Sequence, residues 1–224
     1  FGIQDQTDSK EMLLMLDYGI YYEFIPFSEL ENEHPKTITL EEVEVGKNYA
    51  IVISTNAGLW RYKIGDTVTF TSTNPYRIKI SGRTKHFINA FGEELIIDNA
   101  EVAIAEACKK THATIENFTA GPCYFGDGNK GGHEWIIEFS QVPNDMERFT
   151  KLLDENLREV NSDYDAKRYL DMVLQLPKIH SVPGGTFYKW MKSRGKLGGQ
   201  HKVPRLANNR EYLEELLEFT TSIS

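Results

Sequence analysis

Two cysteines in 224 residues are too few for a disulfide framework, and they form neither a CxxC pair nor a zinc-ligand spacing. Cys108 falls in a helical pattern and Cys123 in a strand pattern, so both read as buried thiols of a protein in a reducing cytoplasm. Long apolar runs are also missing. The stretch Met12 to Leu16 is far below the roughly 20 apolar residues that cross a bilayer, which excludes a transmembrane helix. Positive charge is short as well, with 25 Lys and Arg against 33 Asp and Glu and a net charge of -8. A protein that binds a phosphate backbone by releasing counterions needs the opposite balance, so nucleic acid is not an expected partner. Finally, the chain opens at Phe1 without a Met, a charged leader or a helix cap, and any targeting signal is expected to lie outside it.

What is present is enough to fold. Hydrophobic residues make up 40% of the chain and aromatics 12%, sufficient for a core in one or two domains. From Tyr18 to Ser81 β-branched and aromatic residues dominate, with turn signals at Glu33-His34-Pro35, Val45-Gly46-Lys47-Asn48 and Thr73-Asn74-Pro75. The runs Tyr49 to Ser54, Leu59 to Lys63, Thr67 to Thr71 and Tyr76 to Ile80 are expected to form an antiparallel strand layer. After Gly82-Arg83 strands alternate with amphipathic helices. Helix starts are expected at Asp98 with Glu101, Asn144 with Glu147 and Asn208 with Glu211, each a cap residue followed three positions later by an acid. The second of these helices carries Met146, Phe149, Leu153, Leu157 and Val160 on one face, and the third Leu213, Leu216 and Leu217. Strands at Thr114 to Phe125, His133 to Ser140 and Met172 to Ser181 complete a mixed, mainly antiparallel sheet. The expected fold class is α+β: a β-rich part over residues 1–84, then a small α+β domain over 85–224.

Gly126-Asp127-Gly128-Asn129-Lys130-Gly131 matches the dinucleotide pattern GxGxxG. That pattern needs a following helix whose free amides meet the pyrophosphate, and His133 to Phe139 is a strand. A hairpin turn is the better reading. GLWRYKIGDTV, Gly58 to Val68, reads as two strands meeting at a Gly-Asp turn. Asp66 is there either a turn residue or a carboxylate whose two oxygens suit neighbouring ribose hydroxyls. SGRTKHFINAFG, Ser81 to Gly92, reads as a linker or as a pivot, with Arg83, Lys85 and His86 able to reach a phosphate or ribose.

Together GLWRYKIGD and SGRTKHFINAFGEEL resemble the ribose-binding and hinge motifs of the firefly-luciferase-like acyl-adenylate-forming superfamily. FGIQDQ, YYEFIP (Tyr21 to Pro26) and GTFYKWMKSRGKLGGQHKVPR narrow the likeness to the auxin-responsive (Gretchen Hagen) acid–amino acid ligases and their bacterial relatives. These motifs run in family order from Phe1 to Arg205. The resemblance implies that Asp66 holds the ATP ribose hydroxyls, that Tyr21 lies against adenine, that Arg83 sits near ribose and phosphate and that Lys85 is the hinge. It also implies that Lys202 is the lysine that promotes adenylation. Read without it, Tyr21 is a core aromatic in a strand and Lys202 a solvated loop cation.

The implied reaction activates a carboxylic acid with MgATP, the magnesium held mainly by phosphates, and passes the acyl group from AMP to an amino acid. The Ser/Thr/Gly-rich phosphate loop of the superfamily is not found in the chain, so it is expected upstream of Phe1, and the chain alone is expected to be inactive. Two alternatives stand beside this. One changes the acceptor to coenzyme A, although a net acidic chain suits a long anionic cofactor poorly. The other is a non-catalytic folded module.

Overall fold

The computed structural model describes residues 1–84, 86–125, 130–196 and 202–223. The chain packs into two compact units, Phe1–Thr84 and Lys85–Ser224.

The first unit is built on one six-stranded sheet. Its strands are β1 (Gly2–Ile3), β2 (Met12–Leu14), β3 (Ile20–Pro26), β4 (Asn48–Thr55), β5 (Tyr62–Thr73) and β6 (Tyr76–Arg83), ordered β1-β2-β6-β5-β4-β3 with antiparallel neighbours. Strand alternation decides which aromatics enter the core. On β3, Tyr22 and Phe24 point inward, where Phe24 meets Phe70 edge to face at 5.0 Å and Tyr49 at 6.2 Å. Each such ring contributes roughly 2–3 kcal/mol by burial, and a one-residue slip of β3 would expose both. Tyr21 therefore faces away from this core.

Two expected strands, Leu59 to Lys63 and Thr67 to Thr71, are in fact one. β5 runs unbroken from Tyr62 to Thr73, and Leu59, Trp60 and Arg61 lie outside it. Gly65-Asp66 is accordingly not a turn but a bulge. Ala50 pairs with Thr67 and Val52 with Lys63, so Ile64, Gly65 and Asp66 oppose the single residue Ile51. Gly65 makes this possible by taking φ +90°.

The second unit opens with a two-stranded ribbon, β7 (Phe87–Ile88) and β8 (Leu95–Ile96), followed by helix α1 (Ile97–Thr111). Next come β9 (Thr114–Phe125), β10 (Lys130–Gln141), α2 (Met146–Val160), α3 (Ser162–Arg168), β11 (Lys178–Val182), α4 (Thr186–Ser193) and α5 (Glu211–Ile223). The sheet order is β11-β10-β9. β9 and β10 are antiparallel, with Phe125 opposite Lys130, so a strand follows the GxGxxG look-alike, while β11 joins β10 in parallel. Helices cover both faces. Trp135 and Ile137 pack with Ala103, Ile104 and Ala107 of α1 and Phe149, Leu153 and Leu157 of α2. Ile136 packs with Phe187 and Trp190 of α4 and Leu213 and Leu216 of α5. Covered on both sides, β10 is buried without a break from Gly131 to Phe139.

Each helix cap is displaced from its expected place, by one residue for α2 and α5 and by two for α1, whose N-cap is Ile96 rather than Asp98. Asp145, not Asn144, caps α2 by accepting from Arg148 N at 3.0 Å. Asn209, not Asn208, accepts from Glu211 N at 3.1 Å, because Asn208 is engaged by Asn89 N at 2.6 Å. Helix α1 begins at Ile97, and Asn99 accepts from Ile96 N at 3.3 Å. The strand expected from Met172 shrinks to Lys178–Val182, and Cys123 is only half-buried, unlike Cys108. Among the described residues no helix is long and apolar enough to cross a membrane.

Glu134 ties several of these elements together. Its side chain, 3% exposed, lies 3.0 Å from Lys178 Nζ and 2.6 Å from His180 Nε2, both on β11, and 2.8 Å from Arg210 Nη1 beside α5. Arg210 Nη1 also donates to Pro122 O on β9 at 2.8 Å. Burial by itself would raise the Glu134 carboxyl, but the hydrogen bonds from His180, Lys178 and Arg210 outweigh it and hold the pKa at about 2.

Candidate functional site

In the first unit the side chains singled out by sequence lie on strands of the six-stranded sheet. Tyr21, one residue from the core aromatic Tyr22, is 59% exposed, which overturns its reading as a core residue. It lines an open cleft of about 430 Å³ with Gly19, Ser54, Asn56, Gly58 and Trp60. The cleft forms because the β4–β5 connection folds back, with Thr55 N donating to Leu59 O at 2.8 Å and Arg61 N to Ser54 Oγ at 3.0 Å.

Trp60, 82% exposed, is presented by a strained corner, since Arg61 has φ +44°. Left-handed backbone at a non-glycine residue costs on the order of 1 kcal/mol and persists only if the surroundings fix it. Here Arg61 Nε donates to Glu23 Oε2 at 3.1 Å and Nη2 to Thr37 Oγ1 at 3.2 Å, and Thr37 Oγ1 donates to Glu23 Oε1 at 2.8 Å. Sequence reading gave Trp60, Glu23 and Arg61 no role. Their signal was that Glu23 shares a strand face with Tyr21, two residues on.

Asp66 and Arg83 are brought together. They are register partners on β5 and β6, and Arg83 Nε lies 2.8 Å from Asp66 Oδ1. At the bulge Gly65 O is held by Thr84 N at 3.0 Å. The pair leaves acceptor capacity on Asp66, because a carboxylate has about four lone-pair sites. Asp66 does not line the Tyr21 cleft.

In the second unit, the segment following the expected pivot is shaped by buried Glu93. It accepts from Phe91 N at 2.7 Å and lies 2.8 Å from His133 Nε2, with both side chains fully buried. Lys85 lies outside the described residues. Lys202 is exposed, two residues before Pro204.

The match to known families settles the affiliation. Residues 13–83 match the GH3 family central domain and residues 98–211 the GH3 family C-terminal domain. The chain belongs to the GH3 family. Among its GH3 relatives, an indole-3-acetic acid-amido synthetase of Arabidopsis thaliana (GH3.3) is 27% identical over 213 residues, covering 88% of this chain and 35% of the relative. A jasmonoyl–L-amino acid synthetase of Nicotiana attenuata (JAR4) is 47% identical over 195 residues, covering 83% and 33%. The solved GH3.15 acyl acid amido synthetase superposes with a TM-score of 0.62 at 23% identity, over 89% of this chain and 36% of that one, and shows the shared fold. The GH3 chain here thus spans about a third of the length of the curated relatives it matches.

Proposed function

We propose that this chain supplies the central and carboxy-terminal parts of an amide-forming ligase that activates a carboxylic acid with ATP and transfers the acyl group to an amino acid. The observation that carries the proposal is Tyr21: a strand that buries Tyr22 and Phe24 holds its neighbour out in a cleft, 59% exposed. An exposed ring beside polar Ser54 and Asn56 fits a nucleobase, whose face stacks and whose edge hydrogen-bonds. Asp66 is proposed to receive the ribose hydroxyls, with Arg83 orienting its carboxylate. Lys85 is proposed as the hinge between the parts 1–84 and 85–224. Magnesium enters as the ATP complex, its ligands chiefly phosphate oxygens. The relatives' names, amido synthetases for indole-3-acetic acid and for jasmonoyl–amino acid conjugates, support an amino acid as the acceptor.

The chemistry divides into two steps. A carboxylate oxygen attacks the α-phosphorus, pyrophosphate leaves, and the acyl-adenylate is formed. The amine then displaces AMP at the acyl carbon and loses its proton. Lys202 serves the first step, where two anions must approach and a fixed cation lowers their repulsion. In the full-length protein, Lys202→Ala is expected to slow adenylate formation by about a hundredfold or more and to spare conversion of a presynthesised acyl-adenylate. Equal loss in both assays, or in neither, would remove Lys202 from the first step.

A further inference from the structure

Among the described residues β9 has no regular strand pairing on its outer side and is the edge of the three-stranded sheet. The segment that follows Lys202 runs along that edge as a strap. Ala120 N donates to Arg205 O at 2.9 Å and Ala207 N donates to Ala120 O at 3.1 Å, a parallel bridge between Ala120 and Leu206. Ahead of this bridge, Thr119 Oγ1 donates to Pro204 O at 2.7 Å. Arg205 lies 4.8 Å over the ring of buried Phe118 and its Nη1 is 3.3 Å from Glu101 Oε1. Behind it, Gly121 allows the close approach: a Cβ there would stand 2.9 Å from Asn209 O and 3.3 Å from Ala207 O.

We propose that β9 is a rail that sets the reach of Lys202, with Thr119 as the positioning residue at its leading end. The proposal rests on the reading of Lys202 as the adenylation lysine. Thr119 is fully buried, in a strand position that valine would fill equally well by shape, and among the described residues its hydroxyl provides the hydrogen bond to β9 nearest Lys202, two residues away. Without that bond the first backbone hydrogen bond to β9 is at Arg205 O, one residue or about 3.3 Å of strand further from Lys202, and ahead of it only the packing of Val203 against the core beside α4 and α5 still holds the strap. Catalytic geometry tolerates far less, since a displacement of about 1 Å can cost on the order of a hundredfold.

The test compares wild type, Lys202→Ala, Thr119→Val and Thr119→Ser in the full-length protein, using whichever acid it turns over fastest from a panel opening with indole-3-acetic and jasmonic acids. Acid-dependent ATP–pyrophosphate exchange reads the first step, and conversion of the presynthesised acyl-adenylate with amino acid reads the second. Thr119→Val is expected to lower the exchange kcat about tenfold with the ATP KM unchanged and transfer intact, and Thr119→Ser to restore it. Arg205→Gln, at a half-exposed site, is expected to give the same one-sided loss without threatening the fold. In the 224-residue chain itself, hydrogen exchange at the Ala120 and Ala207 amides should quicken in Thr119→Val. If Thr119→Val and Arg205→Gln lower both steps equally, or lower melting temperature alone, Thr119 is merely structural and the rail is wrong. If Lys202→Ala slows exchange and these variants do not, the rail fails while the role of Lys202 stands; if Lys202→Ala leaves exchange untouched, that role fails first.

Discussion

Asp66, proposed to receive the ribose hydroxyls, illustrates at the scale of one residue how a ligand-binding role is told from a packing one. Its contact with Arg83 reaches into water, the arginine side chain being 62% exposed, and such pairs contribute about 0–1 kcal/mol. Asp66→Ala should therefore leave the melting temperature within a few degrees of wild type. Losing hydrogen bonds from a charged acceptor to ribose is worth about 1.5–3 kcal/mol, so the ATP KM of the full-length enzyme should rise roughly tenfold to a hundredfold. An unchanged KM would take Asp66 out of the nucleotide site, and a collapsed melting temperature would make it a structural bulge residue. Tyr21 shows what the sequence leaves open at this scale. YYEFIP presents two adjacent tyrosines, and strand period places them on opposite faces, but only the packing of Phe24 against Phe70 and Tyr49 decides which face is the core.

Among the elements, strands and helices were legible wherever periodicity and composition agreed, as for β9, whose limits Thr114–Phe125 are those read from the sequence. Helix starts were off by one where two competent caps stand side by side. Asn144 and Asp145 have equivalent chemistry, and at Asn208-Asn209 the choice is made by a long-range bond to Asn89 N. The Gly65 bulge looked like a turn because glycine at positive φ serves both, and only the partner strand distinguishes them. Glu134 was invisible for the same reason: its partners lie on β11 and beside α5. A carboxyl depressed to about 2 from its ordinary 4.5 stabilises the fold fully above its unfolded pKa, and that contribution is lost as pH falls through the folded value. Its size is on the order of 2–3 kcal/mol. Glu134→Gln should therefore lower the melting temperature of the chain at pH 7, and the gap to wild type should close between about pH 4.5 and 2. A gap that stays constant across that range would show that Glu134 is not held by Lys178, His180 and Arg210.

For the whole molecule, the parts read from sequence and the parts read from geometry carry different weight. The two GH3 domain matches cover residues 13–83 and 98–211; GLWRYKIGD and the Lys202 segment lie within them and SGRTKHFINAFGEEL lies mostly between them, and all three were readable because each is a contiguous word. What could not be read was the arrangement around them: the Arg61–Glu23–Thr37 clamp, the exposed Trp60 and the docking of the strap on β9 all join residues distant in sequence. The central claim is that this chain serves ATP-dependent amide formation. It is tested most directly by giving the full-length protein ATP, magnesium and a panel of carboxylic acids, with an amino acid mixture or coenzyme A as acceptor, and identifying products by mass. The account predicts acid-dependent release of AMP and pyrophosphate with an acyl–amino acid amide as product. An acyl-coenzyme A thioester in its place, or no acid-dependent pyrophosphate with any acid, would contradict it.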